Sequence, residues 1–346
     1  MVNLASQLVH KLNLARSGVY FLEALPLTLA SRWFAHPEMP QPTPEQISGM
    51  WRHILRLHQQ EAQHVVNGDI PLNAIEIENP LRHLRSYLEV LGDGVQVALR
   101  MRQKKSKSFS REALSMQKDL PEYYTRNFHF QTDGYLSEAS ARRYDHQVEI
   151  LFSGTAASMR RLILPIIKRH SSGAGHWLEL GSGTGSATRP ALQTFPEAKV
   201  TALDLSSPYL KVAQDNLRSF HQVDFVQGDA TNLNFKSQTF DVVFSVYVLH
   251  ELPEAERRAL MREAFRVLKP GGLLVLADSL QHGDEPELNW ALERFPKTYH
   301  EPFYRNYSEH DLVQMVKNAT GCEPHSSHEF LTKVVWVQKP PSSALS

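Results

Sequence analysis

The sequence predicts an α/β protein: a mostly parallel sheet covered by helices, preceded by a helical region. Three observations carry this. From residue 177 onward, short apolar runs alternate with amphipathic stretches, the pattern left by parallel strands joined through crossover helices on both faces. A glycine-rich turn, Gly181-Ser-Gly-Thr-Gly185, separates the first apolar run from the helix after it. Residues 1–120 show few strand-like alternations, and their apolar residues recur at helical spacing.

In chain order, residues 18–30 are apolar but contain Glu23 and Pro26. A membrane-spanning helix needs about 20 apolar residues, so this stretch reads as a buried or interface helix, and no membrane span or signal peptide is expected. Thr43-Pro44-Glu45-Gln46 combines an N-cap, a proline in the first turn and a capping-box glutamine. Gly68-Asp69 closes that helix. Asn79-Pro80 opens the next, with Leu81, Leu84, Leu88 and Leu91 on one face, and Gly92-Asp93-Gly94 is expected to break it. Residues 100–111 carry six basic side chains, but residues 1–120 hold 14 basic against 11 acidic. The run therefore reads as a solvated helix end and linker.

The whole chain balances 37 Lys+Arg against 37 Asp+Glu, which argues against a nucleic-acid partner. Cys322 is its single cysteine. That excludes an internal disulfide or a Cys-rich zinc site and fits a cytoplasmic setting.

Residues 121–135 are aromatic, polar and irregular, and 137–151 and 162–170 read as helices. Strands follow at 177–180, 199–204, 224–227, 240–246 and 273–278, with helices at 186–194, 205–216 and 254–268 between them. Pro190 fits only in the early part of its helix. The run 240–246 is apolar apart from one acid, as buried parallel strands are. A last strand covers 333–338, and a loose tail follows Lys339.

The glycine turn and its surroundings point to a ligand. Gly181, Gly183 and Gly185 leave bare backbone against which a ligand can lie. Asp204 ends the next strand about 20 residues on, where an acid takes the ribose hydroxyls of an adenosine-containing cofactor. The spacing is G-x-G-x-G with Glu179 two residues ahead, whereas the dinucleotide fingerprint is G-x-G-x-x-G.

This E-x-G-x-G-x-G motif resembles the first motif of the class I S-adenosylmethionine (SAM) dependent methyltransferases. The likeness continues in order through Asp204, Gly228-Asp229-Ala230 and Arg266-Val-Leu-Lys-Pro-Gly-Gly272, and covers residues 141 to 339. Ala141-Arg-Arg-Tyr144-Asp145 resembles a segment that lies over the cofactor in enzymes similar to those of ubiquinone and menaquinone biosynthesis. The resemblance implies a Rossmann-like, mostly parallel seven-stranded sheet with its last strand antiparallel. It also implies a lid or linker at 121–160 and a SAM-binding domain at 161–340, while residues 1–120, outside the resemblance, read from their own periodicity as a helical N-terminal domain. The three glycines would admit the methionine part of SAM, and Glu179 beneath it would hold the amino group. Asp204 would accept from the ribose, and Leu205 would pack on the adenine. Asp229 and the Ala230 N–H would read the adenine edge. The backbone at Ser245 and Val246 would meet the amino group, and Tyr144 would close from the lid.

Methyl transfer needs a base only where the acceptor must lose a proton. His250 and Glu251, just past the fourth strand, and His300 and Glu301 are the candidates, with His129 and Tyr124 in the lid also able to face an acceptor. No ligand spacing supports a metal site. The Asn/Asp-Pro-Pro-Tyr/Phe sequence of adenine- and glutamine-modifying methyltransferases is absent after the fourth strand. Residues 278–284 and 295–307 resemble small-molecule methyltransferases, so a small organic acceptor is expected. The N-terminal helices would wall its pocket or form a homodimer contact. Two alternatives stand beside this: a non-catalytic SAM-binding module whose helices dock a partner, and an NAD-dependent oxidoreductase.

Overall fold

The computed structural model describes residues 4–34, 41–75 and 79–341; beyond residue 341 the expected C-terminal tail lies outside them. Three long helices come first: α1 (Leu4–Phe34), α2 (Pro44–Val66) and α3 (Pro80–Gln103). The start of α2 is a capping box, in which the Gln46 N–H donates to Thr43 Oγ1 and the Thr43 N–H donates to Gln46 Oε1. Asn79 Oδ1 accepts from the Leu81 and Arg82 N–H groups and starts α3.

The break expected at Gly92-Asp93-Gly94 does not occur, because α3 runs unbroken to Gln103. A Cβ on Gly94 would lie 2.7 Å from Leu27 Cδ2, so this glycine serves the close approach of α1 to α3. The basic run also differs from its reading at one end. Arg100 is buried and donates to Phe130 O at 2.7 Å, which ties α3 to the segment before the lid helix.

After α4 (Arg111–Met116) come α5 (Glu138–Leu151), capped by Ser137, then α6 (Ala156–Arg161) and α7 (Ile163–His170). The sheet follows: β1 (Gly175–Leu180), α8 (Thr188–Thr194), β2 (Ala198–Asp204), α9 (Ser207–Asn216), β3 (Val223–Gln227) and β4 (Phe240–Val246). Then come α10 (Glu254–Val267), β5 (Leu268–Ser279), α11 (Asn289–Thr298), α12 (Tyr304–Glu309), α13 (Leu312–Thr320), β6 (His325–Glu329) and β7 (Thr332–Gln338).

The strand order is β3-β2-β1-β4-β5-β7-β6. Strands β1 to β5 pair in parallel, and β7 enters antiparallel between β5 and β6. This is the Rossmann-like sheet that the motifs imply. The order reverses between β1 and β4, and open α/β sheets bind ligands at the carboxyl ends of strands flanking such a reversal.

Alternate side chains on the strands feed two apolar layers. Leu178, Val243, Leu274 and Leu276 pack with α10 and α13. Trp177, Val200, Phe244 and Val275 pack with α7 and α8, and this second layer includes Val9, Ala62 and Ile70 from the N-terminal region. The two parts are also bridged by a buried polar junction. Glu61 on α2 accepts from Arg161 Nε at 2.6 Å, Ser158 Oγ at 2.8 Å and Asn13 Nδ2 at 2.6 Å.

Candidate functional site

The turn after β1 is held against the end of β2. The Gly181 and Ser182 N–H groups both donate to Leu203 O at 2.9 Å, and the Gly183 N–H donates to Asp204 Oδ2 at 2.7 Å. The glycines differ in purpose. A Cβ on Gly183, at φ +55°, would meet nothing within 4 Å, so its open side faces the cavity. A Cβ on Gly185 would lie 2.7 Å from Leu217 Cδ1, so that glycine answers to packing against α9.

Asp204 is buried, and its Oδ1 accepts from the Ser206 N–H at 2.8 Å. Burial pushes its pKa up to about 6, against the lowering effect of the Ser206 and Gly183 N–H groups. Glu179 lies deeper and accepts from Thr188 Oγ1. Burial raises its carboxyl to about 8, so it is largely protonated at neutral pH.

These residues line one end of a cavity of about 810 Å³, together with Gly181, Leu205, Asp229, Ala230, Val246 and Tyr144. Asp229 Oδ1 is engaged by the Thr231 N–H and Oγ1. Ser245 is not on the cavity wall; it is buried and donates through Oγ to Leu180 O at 2.9 Å. Arg160 on α6, which the motifs do not mark, lines the cavity while 7% exposed, with Asp145 and Glu149 each 3.8 Å from its guanidinium.

Residues before and on α5 pack against this end. Thr184 Oγ1 of the glycine turn donates to Asp145 Oδ2 on α5 at 2.7 Å. Tyr144, Tyr135 and Tyr209 meet edge to face, with ring centroids 5.3–5.8 Å apart. Ser206 Oγ donates to Tyr135 O at 2.6 Å, joining lid to β2 end. Tyr124 also lines the cavity.

Next to the glycine turn stands a cluster of ionisable side chains. His250 follows β4, and its Nδ1 lies 2.7 Å from Asp278 Oδ1 at the end of β5. Asp278 Oδ2 accepts from the Leu249 N–H at 2.7 Å. Burial disfavours the charged imidazole, but Asp278, with Glu251 and Glu301, lifts the pKa of His250 to about 9. Glu251 accepts from the Tyr135 hydroxyl. Its Oε1 lies 3.7 Å from His129 Nε2 and 4.0 Å from His250 Nε2. His129 Nδ1 is 3.1 Å from Glu301 Oε1. Burial works against the charged form of His129, yet Glu301 and Glu251 together raise its pKa. Glu301 is fully buried behind it, and burial raises its carboxyl to about 7. His129 has φ +52°, a strained conformation for a residue with a Cβ and one that collects at functional sites.

The fold thus brings His250, Glu251, His129 and Glu301 together, and the first three line the cavity. The His300 ring is not on that wall. It packs 5.7 Å from Phe130, and burial with the nearby Arg126 lowers its pKa to about 4. From this cluster the cavity continues between α1, α2 and α3, where Phe21, Leu25, Ile47, Trp51, Val97 and Met101 line it.

A family model described as a methyltransferase domain matches residues 178–272. A demethylmenaquinone methyltransferase from Lactiplantibacillus plantarum is 31% identical over 186 residues, covering 52% of this chain and 77% of that protein. This chain belongs to the class I SAM-dependent methyltransferases. The ubiquinone/menaquinone biosynthesis C-methyltransferase UbiE of Desulfotalea psychrophila is 32% identical to this methyltransferase. That match covers 41% of this chain and 56% of the relative. The solved structure of a SAM-dependent methyltransferase from Methanosarcina mazei aligns with a TM-score of 0.41 and 21% identity, over 51% of this chain and 98% of that one. The family sets the cofactor of this methyltransferase as SAM and turns down the nicotinamide dehydrogenase reading. Among its described residues no single helix is long and apolar enough to cross a membrane.

Proposed function

We propose that this methyltransferase methylates a small, largely apolar ring compound bearing an ionisable hydroxyl. The observation that carries the reading is one continuous cavity. It runs from the glycine turn, past the His250 cluster, into an apolar channel between the N-terminal helices. Two relatives are named for quinone-biosynthetic methyl transfer, and an acceptor of that chemical kind fits an apolar channel that ends at titratable groups.

The residues present suit the cofactor. Asp204 offers a carboxylate to ribose hydroxyls, Leu205 an apolar surface to adenine, and Asp229 and Ala230 an acceptor and a donor to its edge. The buried acid Glu179 and buried arginine Arg160 offer opposite charges to an amino group and a carboxylate, as the two ends of an amino acid require. SAM supplies an activated methyl group on a sulfonium cation. The chain's own contribution is alignment, exclusion of water and removal of the acceptor's proton. His250 takes that proton at Nε2, while the buried Asp278 holds Nδ1 and stabilises the imidazolium formed. Glu251 and His129 shape the field around it, with Glu301 behind. His300 acts through packing on Phe130, and Ser245 through its hydrogen bond to Leu180 O.

The test is labelled-methyl transfer from SAM into a set of hydroxylated benzenes and naphthalenes with short and long apolar tails. Tailed acceptors are expected to turn over, with Asp204→Ala weakening SAM by about tenfold or more through lost charge-assisted bonds. SAM binding without transfer to any member of the set would favour the non-catalytic module; the supporting observation would then be the solvent-facing N-terminal helices. The cytoplasmic setting and independence from nucleic acid belong to the same proposal, as does a homodimer formed through those helices. Leu22 and Leu29 on α1 and Leu81, Leu84 and Leu88 on α3 are all exposed and lie off the cavity wall. Sedimentation at micromolar concentration showing a monomer would remove the homodimer.

A further inference from the structure

Three side chains from three helices converge at a place that methyl transfer does not use. Glu23 interrupts the apolar stretch of α1, His83 lies near the start of α3, and His146 lies on the lid helix α5. Glu23 Oε1 is 2.7 Å from His83 Nε2, and Glu23 Oε2 is 3.1 Å from His146 Nε2. The two imidazoles stand at 71° to each other with centroids 4.8 Å apart. One potential ligand atom from each residue lies within 4.8 Å of the other two. The Tyr20 ring packs 5.1 and 5.2 Å from the two imidazoles.

We propose that Glu23, His83 and His146 form a binding site for a divalent transition-metal ion, zinc foremost, that clamps the lid helix to the N-terminal helices. Imidazole nitrogen and carboxylate oxygen are zinc's ordinary ligands, at about 2.0–2.2 Å. Tetrahedral bonds of that length put neighbouring ligand atoms about 3.3 Å apart. To reach that spacing the His146 nitrogen–oxygen separation, 3.1 Å, opens by about 0.2 Å and the His83 separation, 2.7 Å, by about 0.6 Å. His83 has 20% of its side chain exposed, against 3% for His146, so the site has an outer side through which an ion enters and water completes the coordination. Each imidazole directs its Nε2 to the Glu23 carboxylate.

A second group of His and Glu among the described residues, His129 with Glu251 and Glu301, is built differently. There a single imidazole lies between two carboxylates, with nitrogen–oxygen distances of 3.7 and 3.1 Å. The ligands of the first group lie 60 and 123 residues from Glu23, so no sequence spacing announces them.

The position gives the ion leverage. His146 follows Tyr144 and Asp145 on α5, and Asp145 accepts from Thr184 in the glycine turn. An ion at His146 therefore restrains the helix that closes on the cofactor end of the cavity. Binding requires both inward nitrogens free of hydrogen, so the ion competes with protons for them.

The test uses the full chain, stripped with chelator and titrated with zinc chloride by calorimetry at pH 7.5, with thermal melts in zinc and in chelator. One zinc per chain is expected in the wild type and in Glu251→Gln. Affinity should fall by about a hundredfold or more in Glu23→Gln and in His83→Ala, each of which removes one ligand. Zinc should raise the melting temperature only where it binds. The two ligand variants fail differently, since Glu23→Gln keeps side-chain size and hydrogen bonding while His83→Ala trims a part-exposed group. Circular dichroism of the zinc-free proteins confirms that each is folded. No saturable uptake by the wild type would overturn the site. So would undiminished uptake in both ligand variants, or loss in Glu251→Gln alone.

Discussion

His250 carries the sharpest consequence at the scale of single residues. Its pKa of about 9 in the free protein means that the base form is the minor one at neutral pH. Since kcat/KM reports groups of the free enzyme, it should climb with pH and level off near 9. Replacing Asp278 by Asn removes the charge that holds the proton, so the limb should move to lower pH, by about one unit or more. A limb left in place would show that another group takes the proton.

Glu179 works in the opposite sense. Its raised carboxyl, at about 8, must ionise to meet a cationic amino group. SAM binding at pH 7.5 should therefore release a proton, and affinity should rise with pH up to about 8. Calorimetry in two buffers of different ionisation enthalpy measures the release, and Glu179→Gln should abolish it. At this scale the sequence was informative where chemistry is local. Asp204 stands out because its distance from the glycine turn is set by one strand–helix–strand unit. The pairing of His250 with Asp278 was hidden, since 28 residues separate them and an acid at a strand end has many ordinary reasons to be there. His300 had the right residue type, but its ring turns toward Phe130.

Among elements, the junction between α2 and α6 should prove the most sensitive. Arg161 is buried and leans on Glu61. Glu61→Ala leaves an unpaired buried guanidinium, an arrangement that costs about 3–5 kcal/mol. Urea unfolding should register a loss of that order; a loss under about 1 kcal/mol would mean that water reaches Arg161. Elements were legible where periodicity and caps agree, as at Thr43 and Asn79. They were illegible where glycine has two uses. The pair Gly92 and Gly94 reads as a break, yet the helix continues because Gly94 admits Leu27. Strand β6, His-Ser-Ser-His-Glu, is an exposed edge with no apolar side chain, and nothing in its composition marks it as a strand.

On the scale of the whole molecule, the sequence conveys the Rossmann-like sheet because four motifs fall in order along alternating strands and helices. It does not convey where the N-terminal helices sit, since that depends on which of their faces meets the helices around the sheet. Val9, Ala62 and Ile70 lie in the same apolar layer as Trp177 and Phe244. The stretch that matches a methyltransferase domain, residues 178–272, is accordingly smaller than the unit that folds. A protein begun at residue 121 would expose the apolar side of α7 and α8 against which Val9, Ala62 and Ile70 pack, and it should aggregate or melt well below the full chain when the two are compared by calorimetric scanning. Ancestry and autonomy are expected to part here: the recognisable core should not transfer to another protein without the helices packed against its α7 and α8 side.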